Sequence, residues 1–263
     1  MTPGSIRVGI GGWDYGPWRE TFYPPGLAKT RQLEHAARQL SAIEINATYY
    51  KLQSPALFAK WRDAVPDGFR FAVKGSRYCS NRKLLGEGGE AVERFCSQGL
   101  AELGDKLGPI LWQFMATKRF DPDDFRAFLA LLPRRAGGIP LRHAVEPRHD
   151  SFRDPVFVTM CREAQVAIVY ADADDYPCIA DLSGDIAYAR LQCSREEEPA
   201  GYSPAALDRW AEVARAWSRG ESPTGLPYAA APPPPQPRDT YVFFISGAKP
   251  RNPAAARALI ERL

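Results

Sequence analysis

Eight short runs of β-branched and aromatic residues recur along the chain, and most are followed by one helical segment. This alternation predicts parallel strands joined by crossover helices. The length of 263 residues fits the roughly 250 residues of an eight-stranded α/β barrel. We therefore predict an α/β fold, a single (β/α)8 TIM barrel, as one domain over residues 1–263. The runs lie at residues 6–10, 42–46, 69–74, 108–113, 141–146, 167–172, 186–190 and 241–246.

Helical patterns and start signals fall between these runs. Apolar residues at i, i+3, i+4 and i+7 spacing predict a helix over residues 28–40. Further helices are predicted over residues 55–64, 90–107, 122–132 and 155–164. Five predicted starts combine an N-cap residue with a following proline. These are Ser54-Pro55, Asp121-Pro122, Asp154-Pro155, Ser203-Pro204 and Asn252-Pro253.

Two segments depart from the repeating pattern. Residues 174–184 show no helical periodicity, so we expect the sixth helix to be missing or reduced to a turn. Residues 220–238 form a proline-rich loop before the last strand, with four consecutive prolines that favour an extended spacer. We expect this loop to run along the N-terminal face of the barrel. A partner that recognises proline-rich segments is an alternative use for it.

Composition and charge limit the class of protein. Apolar residues make up 45% and charged residues 25% of the chain, which is typical of a globular protein with a large core. The net charge of +3 comes from scattered cations, which is weak support for nucleic-acid binding. Five cysteines without a CxxC pair predict neither a disulfide framework nor a zinc knuckle. With no long apolar run or leader pattern, we expect a cytoplasmic protein that does not bind membranes.

Polar residues at the ends of the runs predict a ring of side chains at one mouth of the barrel. If Ile43 and Ile45 face the helices, alternation turns Glu44 inward. The C-terminal mouth is where active sites of this fold lie. An internal charge network is the alternative, but unpaired buried charges cost several kcal/mol each, so a ligand explains the ring better. The predicted ring contains Glu44, Lys74, Gln113, Glu146, Asp172 and Arg190, with open space beside Gly9 and Gly11.

The segment after the last run combines a glycine turn, two cations and a helix start. These features over residues 247–253 predict an anion site, and an ordinary capped helix start is the alternative. Aromatic residues crowd the first two loops, where they could stack on a sugar or base or form a lid. They are Trp13, Tyr15, Trp18, Phe22, Tyr23, Tyr49 and Tyr50.

Common cofactor motifs are missing from the sequence. Residues 9–12 lack the third glycine of a dinucleotide fingerprint, and no GxxxxGK[ST] phosphate loop occurs. Three histidines are too few for a histidine-rich metal cluster. A single divalent ion is an alternative that we do not favour. Its ligands would be Glu44, Glu146, Asp172 and His149.

Several stretches together resemble the domain-of-unknown-function 72 family, and the resemblance runs nearly from end to end. They are GIGGW at 9–13, FYP at 22–24, EINATYY at 44–50, FRFAVK at 69–74, KLGPILWQ at 106–113 and AVEPRH at 144–149. The resemblance implies a TIM barrel loosely similar to the endonuclease IV and xylose isomerase group, with no established activity. The family's shared polar positions correspond here to Glu44, Asn46, Lys74, Gln113, Glu146, Arg148, His149, Asp172 and Arg190.

The chain departs from the family pattern in four places. Two of the departures replace histidines, which weakens a metal-dependent mechanism and points to a divergent subgroup with its own ligand. The departures are Cys79-Ser80-Asn81 for a threonine-histidine pair, Phe114-Met115-Ala116 for a proline pair, Gln192-Cys193 for histidine-glycine, and Ile245-Ser246 for two asparagines.

Three hypotheses of function follow. The first is an enzyme, of hydrolase, lyase or isomerase type, that acts on a small phosphorylated or polyhydroxylated compound. Glu146 would be its general acid or base, Glu44 and Asp172 further carboxylates, and Lys74 a group that stabilises negative charge. The second is a nucleic-acid-processing or nucleic-acid-binding protein, and the third is a non-catalytic small-ligand-binding protein. The predicted binding residues are Trp13, Asn46, Tyr49, Gln113, Arg148, His149, Arg190, Ser246, Gly247 and Lys249.

Overall fold

The computed structural model describes residues 2–263 and contains one closed barrel of eight parallel strands. Neighbouring strands are consecutive in the chain, and β1 closes the barrel by pairing with β8. All eight predicted strands are confirmed, and their ends differ from the prediction by at most two residues. The strands are β1 (Ile6–Gly11), β2 (Ala42–Ile45), β3 (Arg70–Lys74), β4 (Leu107–Gln113), β5 (His143–Glu146), β6 (Ala167–Asp172), β7 (Ile186–Leu191) and β8 (Asp239–Phe244).

Helices cover the outside of the barrel. Four predicted N-caps are confirmed, because the side chains of Ser54, Asp121, Asp154 and Ser203 each accept a hydrogen bond from a backbone N–H of the first turn. Within residues 2–263, none of the helices has the length and hydrophobicity needed to cross a bilayer. The helices are α1 (Trp18–Thr21), α2 (Gln32–Ala37), α3 (Ala47–Tyr50), α4 (Pro55–Asp63), α5 (Arg77–Ser80), α6 (Gly89–Ser97), α7 (Pro122–Leu131), α8 (Pro155–Glu163), α9 (Pro204–Arg219) and α10 (Asn252–Ile260).

Two predicted helices are shorter than their sequence patterns suggested. The prediction over residues 90–107 is wrong in its second half, because Gly99 adopts a left-handed backbone with φ of 113° and ends α6. A methyl group on Gly99 would lie 2.8 Å from the Cα of Pro55, so this turn requires glycine. A separate 3-10 segment then leads into β4. The helix predicted over residues 28–40 is also shorter in the structure, where only α2 forms after a 3-10 turn at Lys29–Arg31.

The sixth helix is absent, as predicted. Residues 173–185 form an irregular loop between β6 and β7, and the proline-rich segment 220–238 packs against it. The Asp181 carboxylate accepts hydrogen bonds from the backbone N–H groups of Ala229 (2.7 Å) and Ala230 (3.0 Å). Arg238 donates to the carbonyl of Gly184 at 3.0 Å. These contacts tie the end of the segment to the start of β7, at the N-terminal end of the barrel.

Aromatic rings fill the N-terminal half of the barrel interior. Tyr188 and Tyr241 stack with ring centres 6.3 Å apart, and Phe243 lies 5.2 Å from Tyr188. Below them Arg142 pairs with Asp239 at 2.8 Å and donates to the hydroxyl of Tyr241 at 2.9 Å. This packing closes the N-terminal end, so the C-terminal mouth is the side from which a ligand reaches the interior.

Candidate active site at the C-terminal mouth

A cavity of about 530 Å³ opens at the C-terminal mouth. The ends of β1, β2, β3, β4, β7 and β8 form its walls, together with the segments that follow β1, β2, β5 and β8. Its size suits a small molecule. The lining residues are Gly11, Gly12, Trp13, Asp14, Ile45, Asn46, Ala47, Tyr50, Lys74, Gln113, Arg148, Arg190, Phe244, Ile245, Ser246, Lys249 and Asn252.

A buried cation between two buried carboxylates forms the base of the site. Arg190 donates to both oxygens of Glu44, at 3.1 Å from Nε and 3.0 Å from Nη2, and to Glu146 at 2.7 Å from Nη1. Tyr188 donates its hydroxyl proton to Glu44 at 2.7 Å. Both carboxylates are fully buried and Arg190 is only 2% exposed. The three charges therefore hold each other in a fixed geometry.

Both oxygens of Glu146 are occupied. Besides Arg190, Gln113 donates to Oε2 at 2.7 Å, and Arg148 donates twice to Oε1 at 3.3 and 3.2 Å. Burial alone raises the pKa of Glu146, but Arg190, Arg148 and the Gln113 bond together hold it below the ordinary value. A general acid needs a raised pKa and reach to the substrate, and the Glu146 carboxylate does not line the cavity. This geometry does not favour the general acid or base role for Glu146, which stays a prediction.

Lys74 is the titratable group at the inner end of the cavity. Its ammonium nitrogen lies 4.4 Å from the centre of the Tyr49 ring. Burial, and next the charge of Arg190, lower the pKa of Lys74 to about 8, while Glu44 and Glu146 offset part of this shift. Within residues 2–263, no carboxylate lies close enough to form an ion pair with it. A fraction of this lysine is therefore a neutral amine near neutral pH.

Lys249 is a second cation of the cavity that has no acidic partner in the described part of the chain. Its ammonium nitrogen lies 4.3 Å from the centre of the Tyr15 ring and 5.7 Å from that of Trp18. Trp18 also donates its indole N–H to the Lys249 carbonyl at 2.9 Å. Burial lowers the pKa of Lys249. Aromatic faces thus hold this cation at the mouth instead of a carboxylate.

The loop that carries Lys249 is tightly held. Gly247 has φ of 56°, and a methyl group on it would lie 2.6 Å from Ser194 Oγ. The Ser246 carbonyl accepts from Ser194 Oγ at 3.3 Å and from the Asn252 amide at 3.1 Å. Asn252 is therefore not the N-cap that we predicted: it is the first residue of α10, and its side chain binds the loop. This rigidity fits the predicted anion-binding role of Ser246, Gly247 and Lys249, which stays a prediction.

The other predicted binding residues differ in their position relative to the cavity. Trp13 and Asn46 line it, and Gln113 lines it while bonding to Glu146. Arg148 lines it with its guanidinium 4.2 Å from the centre of the Tyr176 ring. Tyr49 lies against Lys74 and does not line the cavity itself.

Asp172 does not belong to the ring, so its predicted inward position is wrong. Along β6, Ala167 and Val169 point into the barrel. Asp172 lies on the opposite face with Tyr170, which packs on Trp210 of α9. Asp172 lines a separate cavity of about 500 Å³ beside α9. Burial, and next the charge of Asp174, raise its pKa to about 6.

His149 also lies outside the cavity. Its Nδ1 accepts the backbone N–H of Ser151 at 3.1 Å and caps a 3-10 turn. The four residues that the sequence offered as ligands of a divalent ion therefore do not lie together in the structure. Among the described residues, no group of three histidine, cysteine, aspartate or glutamate side chains is arranged to hold a metal ion.

Some features of the site were missed by the sequence reasoning. Tyr188 lies two residues before Arg190 on the same strand, so alternation along β7 could have identified it. Tyr176 comes from an irregular loop that offers no periodic signal. Gly9 does not leave open space, because a methyl group there would lie 1.9 Å from the carbonyl of Ala42. Gly9 allows close contact of β1 with β2, and of these two glycines Gly11 alone lines the cavity.

Comparison with known proteins supplies the family context. A family model described as "Protein of unknown function DUF72" matches residues 7–263. UPF0759 protein YecE from Escherichia coli K12 is 28% identical over 147 residues, which are 56% of this chain and 50% of YecE. The match thus spans about half the length of this curated relative.

Solved structures are similar in fold. A DUF72 family protein from Thermotoga maritima superposes with a TM-score of 0.73, at 23% identity over 97% of each chain. The structure titled SacUVDE superposes with a TM-score of 0.54, at 11% identity over 97% of this chain and 98% of that one. At these identities both comparisons support the barrel fold and carry no activity to this chain.

Proposed function

Because the chain belongs to the DUF72 family of proteins of unknown function, its activity has to be inferred from the site, and we propose an enzyme that acts on a small anionic compound. The substrate is bound at the C-terminal mouth and undergoes proton transfer there. Among the phosphorylated and polyhydroxylated compounds that the sequence suggested, the charges of the cavity favour the phosphorylated ones.

One observation carries this proposal: the cations of the site face the cavity, and the buried carboxylates lie behind them. Lys74, Arg148, Arg190 and Lys249 all line the cavity, whereas Glu44 and Glu146 do not. The one acidic residue in the lining is Asp14, which pairs with the exposed Lys29 at 2.6 Å. A ligand therefore meets hydrogen-bond donors and positive charge, which is the environment that phosphate and carboxylate groups need.

The residues divide into binding and proton-transfer groups. Arg148, Arg190 and Lys249 bind the anionic group of the substrate, and the two buried glutamates keep both guanidinium groups in place. Lys74 is the acid–base group, since a pKa of about 8 lets it take up and release a proton near neutral pH. An amine base favours a lyase or isomerase over a hydrolase, because Glu44 and Glu146 have no free oxygen to activate water.

Nucleic-acid binding is the competing function, and the geometry favours it less. The cavity of about 530 Å³ holds a small molecule or a single nucleotide residue. A net charge of +3 is small for a protein that must neutralise several phosphates of a strand. The likeness to SacUVDE concerns the fold alone.

A thermal-shift experiment tests the anion site. The purified protein is heated with glucose or glucose 6-phosphate, with inorganic phosphate, and with short single- and double-stranded oligonucleotides. We expect stabilisation by the phosphorylated sugar and not by glucose. Stabilisation by oligonucleotides alone, with a steep salt dependence, would contradict the proposal and support the competing function.

A matched pair of variants locates the binding. Lys249→Gln removes a cation that lines the cavity, while Arg251→Gln removes an exposed cation two residues later that does not line it. Only the first variant should lose the stabilisation. Equal losses in both would mean that the effect is non-specific attraction to a basic surface.

The proposed proton transfer by Lys74 needs a separate assay. A phosphorylated compound that stabilises the protein is incubated with it in deuterium oxide, and exchange of its carbon-bound protons is followed by NMR. We expect exchange with the wild type and none with Lys74→Met. Stabilisation of the wild type without exchange or conversion of any such compound would favour a non-catalytic binding protein.

A further inference from the structure

We propose that Lys74 is a nucleophile that forms an imine with an aldehyde or ketone group of a small anionic substrate. This inference rests on the proposed function and narrows its substrates to anionic carbonyl compounds.

Lys74, which is half-buried at the cavity, differs from the buried Lys106 and Lys118. Lys106 donates to the carbonyls of Arg62 (3.0 Å) and Val65 (2.7 Å), and Lys118 pairs with Asp124 at 2.5 Å. Both ammonium groups are thus held by oxygen atoms in the interior, as buried charges require. The Lys74 ammonium has no hydrogen-bond or ion-pair partner within residues 2–263, and its contact is the Tyr49 ring. A lysine left without a partner in a cavity is free to react.

The charges that face Lys74 act on its pKa in opposite directions. Arg190 and Arg148 disfavour its charged form, and Glu44 and Glu146 favour it. The glutamates are already bound to the arginines, so their effect only partly offsets burial and the neighbouring cations. Desolvation and an adjacent cation are the two means by which proteins activate lysine amines as nucleophiles.

Imine formation needs only the lysine amine, the carbonyl compound and solvent. The neutral amine of Lys74 attacks the carbonyl carbon, a C–N bond forms, and the π electrons of the carbonyl move to its oxygen. A proton transferred from nitrogen to that oxygen gives a carbinolamine. Protonation of the hydroxyl by solvent and loss of water then leave the C=N bond. The Tyr49 ring, which lies against the Lys74 nitrogen, stabilises the resulting cationic iminium.

Imine formation at Lys74 also accounts for the cations that line the rest of the cavity. The iminium withdraws electrons from the neighbouring carbon, which makes a proton there easier to remove, as a lyase or isomerase requires. Arg148 and Lys249 hold the carboxylate or phosphate group of the same molecule. The anion thereby brings the carbonyl group to the amine and raises its effective concentration.

Reductive trapping tests the inference on the full wild-type chain. Glyoxylate, a small anionic aldehyde, is added with sodium cyanoborohydride at pH 8, where reduction of the imine leaves a stable carboxymethyl group on the lysine. Peptide mapping by mass spectrometry then compares Lys74 with the exposed Lys51. With a pKa of about 8, half of Lys74 is neutral at this pH, against well under 1% of an ordinary lysine. Allowing for the lower nucleophilicity of a weaker base, we expect Lys74 to be labelled at least about tenfold faster.

Control reactions separate this inference from the proposed function. Lys74→Arg keeps a positive charge at this position but has no amine there, so the fast labelling seen at Lys74 in the wild type should be lost. Acetaldehyde, which lacks the carboxylate, should show only the preference for Lys74 over Lys51 that the larger neutral fraction of Lys74 gives. Glyoxylate should show a larger preference, and inorganic phosphate should reduce it to that of acetaldehyde. These results would support the inference.

Labelling of Lys74 no faster than Lys51 by glyoxylate in the wild type would overturn the imine, whatever the fate of the variant. If phosphate and glucose 6-phosphate still stabilise the protein, the proposed anion site survives that result. An equal preference for Lys74 with both aldehydes, unaffected by phosphate, would overturn the restriction to anionic substrates and the anion site with it.

Discussion

Replacing Glu146 with glutamine should strongly destabilise the protein. The carboxylate is fully buried and accepts four hydrogen bonds, two from Arg148, one from Arg190 and one from Gln113. A glutamine offers one oxygen and one NH2 group, so in either orientation two of the four donors face another donor. Each hydrogen bond to a charged group contributes about 1.5 to 3 kcal/mol. We therefore expect the free energy of unfolding to fall by about 3 to 5 kcal/mol, or Tm by on the order of 10 °C.

The assay is urea denaturation followed by tryptophan fluorescence, with Glu34→Gln as the matched control. Glu34 also accepts hydrogen bonds from two arginines, Arg31 and Arg38, but its side chain is 35% exposed. The same substitution there should cost much less, because water screens an exposed pair. The comparison isolates the contribution of burial.

The pH dependence gives a second check on Glu146. Its folded-state pKa lies below the unfolded value of about 4.3, so its stabilisation is complete above that pH and is lost as the pH falls through the folded-state pKa. The deficit of Glu146→Gln should therefore shrink below about pH 4. Equal costs for the two glutamine variants, or a deficit that is unchanged at pH 3, would refute the reasoning.

Three further substitutions test the charges and the backbone of the site. Lys74→Met should raise the free energy of unfolding at pH 7 by about 1 to 2 kcal/mol, since burial lowers the pKa to about 8 and the unfolded chain then binds more protons between about pH 8 and 10.5. Denaturation at pH 7 and 10 should show that gain shrinking with rising pH, and a loss of stability at pH 7 would contradict it. Asp172→Asn should gain about 1 kcal/mol at pH 7, because burial raises the pKa to about 6, and the gain should vanish as the pH falls to 4. A gain independent of pH would contradict this account. Gly247→Ala should lower Tm and abolish stabilisation by glucose 6-phosphate, because its methyl group would meet Ser194 Oγ at 2.6 Å. An unchanged melting curve would show that the loop is not held as described.

The fold follows from local patterns that the sequence displays directly. Strand β2 shows why: Ile43 and Ile45 face the helices, and Glu44 points into the barrel, as alternation requires. The same alternation correctly placed Lys74, Gln113, Glu146 and Arg190. The helix over residues 90–107 was overextended because the role of Gly99 depends on its contact with Pro55, a residue distant in sequence.

Strand β6 shows where alternation fails. Both of its faces are apolar, with Ile168 and Tyr170 on one side and Val169 on the other. A strand buried on both faces has no polar side from which to set the direction of its last residue. The inward position predicted for Asp172 was therefore arbitrary.

The chemistry of the ring depends on contacts that no spacing encodes. Alternation along the strands predicted that two glutamates and two arginines lie near one another, but it could not show that every glutamate oxygen accepts a hydrogen bond. That fact is the reason why we propose Lys74, and not Glu146, as the reactive group. The stacking of Tyr176 on Arg148 likewise comes from an irregular loop.

The most direct test of the anion site is to locate a bound anion. Crystals of the protein are soaked in tungstate, a tetrahedral anion whose anomalous scattering identifies its position. We expect a peak within hydrogen-bond distance of Lys249 and Arg148, inside the cavity at the C-terminal mouth. Peaks confined to exposed cations such as Arg251, with none in the cavity, would contradict the account.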